Sequence, residues 1–140
     1  MAFEPRSVVS PRSAFGDVSQ TLAPVDGVEP TDHRYRGALL QHRLANLVRE
    51  ELRISGTSLP AFLDQIGDLP GLSKDRQRRM LRGESSATYA DLAFWAGHFP
   101  RIAAQLAAYL ASWAEPTVTA VPASKAPPTV LRRARPPMRS

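Results

Sequence analysis

Cysteine is missing altogether. Without it the chain has no disulfide framework, no thiolate metal ligand and no thiol nucleophile, so the fold must stand on packing alone. Long apolar runs are missing too: nothing approaches the roughly 18 uninterrupted apolar residues of a membrane-spanning helix. The opening MAFEPRSVVSPRS shows no basic start followed by an apolar block, so no secretory signal is read there and a cytoplasmic location is expected. Histidine is scarce, with His33, His42 and His98 far apart and no HExxH pair. His33 and His42 read as exposed helix residues, and His98 as a polar residue at a helix end. The glycines are isolated, which excludes a phosphate-cradling loop, and there is no nucleophile elbow. Neither an enzyme, a cofactor nor a bound metal is expected.

What is present is enough for one domain with a modest core: 140 residues, of which 43% are hydrophobic. The net charge of +5 is unevenly placed. Residues 1–36 hold four basic and five acidic side chains, and residues 37–115 hold nine and eight. The last 25 residues carry Lys125, Arg132, Arg133, Arg135 and Arg139 with no acid, an excess as large as that of the whole chain. Within the middle, Lys74, Arg76, Arg78, Arg79 and Arg82 crowd one short stretch against only Asp75 and Glu84. Such concentration points to a polyanionic partner.

Along the chain, residues 1–30 mix Pro5, Pro11, Pro24 and Pro30 with Ser, Gly and Val and show no helical or strand period, which predicts a flexible arm. From residue 31 the pattern changes. Leu40, Leu44, Leu47, Val48 and Leu52 form one stripe of a long helix that Thr31 or Asp32 can cap and Ser55-Gly56 can stop. Ser58 caps a short apolar helix with Pro60 in its first turn and Ala61, Phe62, Leu63 and Ile66 along it, ending at Gly67. Asp68-Leu69-Pro70-Gly71 is turn chemistry. Ser73 caps a third helix that Gly83 ends, and Thr88 caps a fourth carrying Tyr89, Leu92, Trp95, Ala96 and Phe99 toward the interior. Pro100 opens a fifth, alanine-rich helix with Ile102, Leu106, Tyr109, Leu110 and Trp113 on one side. That helix is either a last core helix or a dimer interface made by Leu106, Tyr109, Leu110 and Trp113. Residues 116–140, rich in Pro and Arg, predict a disordered tail that contacts phosphates, folds on a protein partner, or stays solvated.

The third helix carries the chemistry. At about 100° per residue, Ser73, Gln77, Met80 and Leu81 share one side, while Asp75, Arg78, Arg79 and Arg82 share the other. An outer face of this kind suits the major groove, because Arg offers a planar fork to guanine O6 and N7 and Asp accepts from cytosine N4. Flanking cations would hold phosphates and set the register. A charged face is also what a merely solvated helix shows, with Asp75 pairing Arg79 at i, i+4. The short helix and turn ahead of it complete a two-helix hairpin with the basic face on the second member.

The run SLPAFLDQIG, LSKDRQRRMLRGE and SSATYADLAFWAGHF resembles the Cro/CI-type (XRE-like) helix-turn-helix domain of bacterial and phage repressors. The likeness rests on Ser58, Gly67, Ser73, Arg82-Gly83 and Thr88-Tyr89-x-x-Leu92 and covers roughly residues 40–100. It implies an all-α, five-helix domain without cofactor that binds operator DNA as a dimer, with base contacts at Lys74, Asp75, Arg78 and Arg79. Phosphate contacts are expected from Ser58, Ser73, Arg76, Arg82 and Ser85. Four features depart from the family pattern: a turn lengthened by Asp68 to Gly71, Leu63 where a small residue is usual, Gln77 where an apolar one is usual, and Leu59 in place of a polar phosphate contact. The sequence therefore leads to a helix-turn-helix domain over 31–115 acting as a dimeric transcriptional regulator on double-stranded DNA. The alternatives are a protein-interaction module of antitoxin type, or a phage regulator of a host protein, whose tail folds on a partner, and a non-specific DNA-packaging or nucleoid protein.

Overall fold

The computed structural model describes residues 2–17, 20–67 and 69–114, so the basic tail lies outside the described residues. The fold is mostly helical, with α1 (His33–Ser55), α2 (Leu59–Ile66), α3 (Lys74–Leu81), α4 (Tyr89–His98) and α5 (Pro100–Ser112). The chain divides into two units, 1–106 and 107–140. No described helix is long and apolar enough to cross a membrane.

Each helix begins where its capping chemistry predicts. Asp32 accepts the Arg34 amide ahead of α1, Ser58 that of Ala61 ahead of α2, and Ser73 that of Arg76 ahead of α3. Thr88 and Asp91 form a reciprocal capping box at the start of α4. In the first unit the main core gathers Leu44, Val48 and Leu52 of α1, Leu63 of α2, Met80 and Leu81 of α3, Phe94 and Trp95 of α4, and Ile102 and Leu106 of α5. Phe62 stacks on Trp95 with ring centres 5.5 Å apart and leans on Phe94, His98 and Phe99.

The N-terminal segment corrects the expectation of a flexible arm. Residues 5–8 and 12–14 form short 3-10 turns, and β1 (Val9–Ser10) pairs antiparallel with β2 (Ala23–Pro24). Val8, Val9, Ala14, Phe15 and Leu22 bury a second core against Tyr35 and Ala38 of α1. The reason is that α1 is apolar on two faces rather than one. Its first stripe faces the other helices, while Tyr35, Ala38 and His42 meet the N-terminal segment, whose apolar side chains follow no period because they come from turns. His42 is accordingly buried, not exposed: its Nδ1 accepts the Gly16 amide at 2.8 Å, and its ring lies edge-on to Phe15. Burial depresses its pKa below 6.5, opposed by a hydrogen bond to the Gln20 backbone and by the charge of Asp17. His33 is exposed, and His98 donates from Nδ1 to the Phe94 carbonyl near the end of α4.

Candidate nucleic-acid interface

Helix α3 has only eight residues. An isolated helix shorter than about 12 residues is marginal in water, so its position must come from its neighbours. Its inner face supplies Gln77, Met80 and Leu81, all buried. Gln77 resolves the apparent mismatch of an amide in an apolar place. Its Nε2 donates to Asp91 Oδ1 at 2.9 Å, and its Oε1 accepts the Trp95 indole N–H at 2.8 Å. Asp91, fully buried, uses its other oxygen for the Thr88 amide at 2.8 Å and for Arg76 Nη2 at 2.6 Å. One carboxylate thus fastens α3 to the start of α4, and every polar atom named in the set has a partner.

The far end of α3 is held from two more sides. Gln41 of α1 donates through Nε2 to the carbonyls of Met80 and Ser85 and accepts the Ala87 amide on Oε1. The N-terminal segment reaches the same end: the Arg6 amide donates to the Gly83 carbonyl at 3.1 Å, and the Phe15 ring lies against Gly83. At Gly83, φ is +77° and a Cβ would come within 2.8 Å of that ring, so glycine is required there for both conformation and space.

The sequence-predicted contact residues divide into two groups. Lys74, Asp75 and Arg79 are exposed on the outer face, and Arg78 is 41% exposed through its side chain. Asp75 sits between the two arginines, 3.1 Å from Arg79 Nε and 3.8 Å from Arg78 Nη1. It aligns both guanidiniums while contributing little to stability, as exposed pairs do. Lys74 pairs with Asp64 across the α2–α3 gap. That gap is a cleft of about 530 Å³ whose walls include Leu63, Leu69 and Leu72. Ser58 and Ser73 are exposed caps, and Arg82 is half exposed and 3.4 Å from Glu84.

Two of the expected phosphate-contact residues are engaged within the fold. Arg76 turns to Asp91 and belongs to the buried network, with its Nη2 2.6 Å from a carboxylate that is 1% exposed. The Ser85 hydroxyl oxygen is buried with no hydrogen-bond partner among the described residues, and the Ser85 carbonyl accepts from Gln41 Nε2 at 2.9 Å. Of the expected dimer residues, Leu106 belongs to the core of the first unit at 4% exposure. In the second unit Leu110 is 41% exposed, and Tyr109 and Trp113 meet edge to face at 5.3 Å.

Sequence reasoning missed Gln41, Asp91 and Arg49. Gln41 had a signal, being a polar residue on the turn between two apolar stripes. Arg49 of α1 has its guanidinium against Gly16, and its pKa is lowered first by burial and next by the charge of Arg82, with Asp17 acting the other way. Among the described residues no group of three or more His, Asp or Glu side chains could hold a metal ion. No protein-family model matches the chain, and comparison with curated proteins and with solved structures gives no match either.

Proposed function

We propose that the chain is a sequence-specific regulator of transcription that reads double-stranded DNA with α3 in the major groove, as a helix-turn-helix protein of the Cro/CI type does, and that it works in the cytoplasm as a dimer. The observation that carries this reading is the division of α3 into two faces. Its inner face is locked by Gln77 and Asp91, while Arg78 and Arg79 stand on the outer face with Asp75 between them. A rigid backbone with two oriented guanidiniums is what bidentate recognition of guanine needs. Lys74, Arg82 and the hydroxyls of Ser58 and Ser73 are then the positioning contacts to phosphate. Leu110, Tyr109 and Trp113 supply the surface for a second copy, and a repressor with two copies reads two half-sites about 34 Å apart.

Selection of bound duplexes from a random pool tests the proposal. A single enriched motif is expected, and Arg79→Ala should cost about 1–3 kcal/mol on that motif and relax the choice at one position. An equal loss on every sequence would remove Arg79 from base readout. Binding without any enriched motif would favour a packaging protein, and no duplex binding at all would favour the protein-interaction module.

A further inference from the structure

Beside the far end of α3 lies a cleft of about 470 Å³ lined by Arg49 of α1, Arg82 at the end of α3, and Ser13, Phe15, Gly16 and Asp17 of the N-terminal segment. Three separate parts of the chain therefore meet there. The backbone fixes the arrangement: at Gly16 φ is +81°, and a Cβ would stand 2.6 Å from the Leu81 carbonyl and 3.3 Å from Arg49 Nη2. Any other residue would drive the segment away from α3 and Arg49 together. The Leu81 carbonyl closes the negative end of α3, which favours a guanidinium beside it.

Two guanidiniums on one cleft repel each other, and the balance of charge around them is unequal. Arg82 weighs on Arg49 more heavily than the opposing Asp17 does. Glu84, 3.4 Å from Arg82, is shared with Arg6 at 3.7 Å. An anion with several acceptor oxygens relieves that repulsion and matches the donors of two arginine forks and the Ser13 hydroxyl. A carboxylate already on the wall, Asp17, competes with it.

We propose that the cleft between Arg49 and Arg82 is a phosphate-binding site. The phosphate comes either from a DNA backbone, with the cleft clamping the strand that borders α3, or from a free phosphorylated ligand. The first source rests on the DNA reading above; the second does not. The N-terminal segment then has a role in binding as well as in packing, because it contributes one wall.

The test uses the full chain. In the first arm inorganic phosphate is titrated against chloride at equal ionic strength, and both the melting temperature and the NMR signals of the arginine side-chain Nε–H groups are followed. The site predicts a saturable rise in melting temperature and shifts of the Arg49 and Arg82 signals, both lost in Arg49→Gln and in Arg82→Gln. Asp17→Asn, which removes the competing charge at constant shape, should lower the half-saturating concentration several-fold. In the second arm duplex DNA is bound at several salt concentrations, and each arginine variant should reduce the slope of log affinity against log salt by about one. Because Arg82 is already a phosphate contact in the DNA reading, the slope change that assigns the cleft to DNA is the one in Arg49→Gln; a change in Arg82→Gln alone overturns the clamp on the DNA strand. A phosphate response with unchanged slope, or in a protein that binds no DNA, assigns it to a free ligand. Should Arg49→Gln fail to fold, Arg82→Gln and Asp17→Asn decide alone. A phosphate response that persists in the variants, or no response in either arm, overturns the proposal.

Discussion

Replacing Gln77 by leucine puts an apolar residue at this buried position of α3 and tests whether the buried amide holds the helix in place. In the native protein Gln77 accepts from Trp95 Nε1 at 2.8 Å and donates to Asp91 Oδ1 at 2.9 Å, and all three residues are 0% exposed. Leucine strands an indole N–H and one carboxylate oxygen where water cannot reach. Each such group costs about 1–3 kcal/mol when left unpaired. The greater apolarity of leucine returns about 1 kcal/mol, a little more than one buried methylene is worth. The net loss is about 1–5 kcal/mol, centred near 3, which for a unit of this size lowers the melting temperature by roughly 10–20 °C. Urea unfolding of the full chain measures it directly.

A double-mutant cycle with Trp95→Phe separates the hydrogen bond from the packing. Phenylalanine removes the donor, so the two changes together should cost about 1–2 kcal/mol less than their sum. Asp91 Oδ1 is orphaned in Gln77→Leu and in the double variant, so full recovery is not expected. If Gln77→Leu equals or exceeds the native protein in stability, or if the cycle is additive, then the amide does not anchor α3. The same variant carries a functional consequence, since α3 freed to roll by even a fraction of a turn misaims Arg78 and Arg79. On the proposed DNA reading, its discrimination between DNA sequences should fall more than its affinity for any one of them.

Three further perturbations probe the other supports. Gly83→Ala combines a left-handed backbone angle with a 2.8 Å approach to the Phe15 ring and should destabilise by about 2 kcal/mol, read as a shift of the urea midpoint at constant slope; no shift would mean that Phe15 is not seated there. His42, held neutral with a pKa below 6.5, makes the folded state bind fewer protons than the unfolded one, so stability is complete above pH 6.5 and declines as the pH falls through that value. Thermal melts between about pH 5.5 and 7.5 should show this decline in the native protein and lose it in His42→Gln, and an unchanged slope in that variant would refute the assignment. On the proposed dimer, Leu110→Asp combined with Trp113→Ala should raise the dissociation constant at least tenfold, about 1.4 kcal/mol, in sedimentation at several concentrations, and an unaltered mass distribution would clear that surface of the role.

Local chemistry made the helices legible in the sequence. Asp32, Ser58, Ser73 and Thr88 each sit one residue before a helix and accept one of its free amides, an interaction within four residues that needs no knowledge of the rest of the chain. The outer face of α3 was legible for the same reason, since spacing alone sets which side chains share a side. What escaped depends on distant partners. Arg76 and Arg79 look alike in the sequence, and only the position of Asp91 in α4 sends one inward and leaves the other outside. Val8, Phe15 and Leu22 carry no period because turns and a two-residue ladder present them, so their burial against α1 could be inferred only from the second apolar face of that helix. The burial of the Ser85 hydroxyl and the bond from Gln41, 44 positions earlier, to the Ser85 carbonyl are likewise beyond the reach of local spacing.

These distant partners share one target. Asp91 holds α3 near its first turn through Arg76 and near its middle through Gln77; Gln41 takes the Met80 carbonyl; the Arg6 amide and the Phe15 ring close on Gly83 just beyond the last turn. Three elements, α1, α4 and the N-terminal segment, thus restrain an eight-residue helix that could not persist by itself, and they do so mostly through hydrogen bonds, which fix direction as apolar contact does not. A helix that served only to fill the core would need no such angular control, since Met80 and Leu81 tolerate small rotations. Control of rotation matters when side chains on the opposite face must meet fixed groups outside the molecule, and in the proposed function Arg78 and Arg79 are the side chains that this control aims.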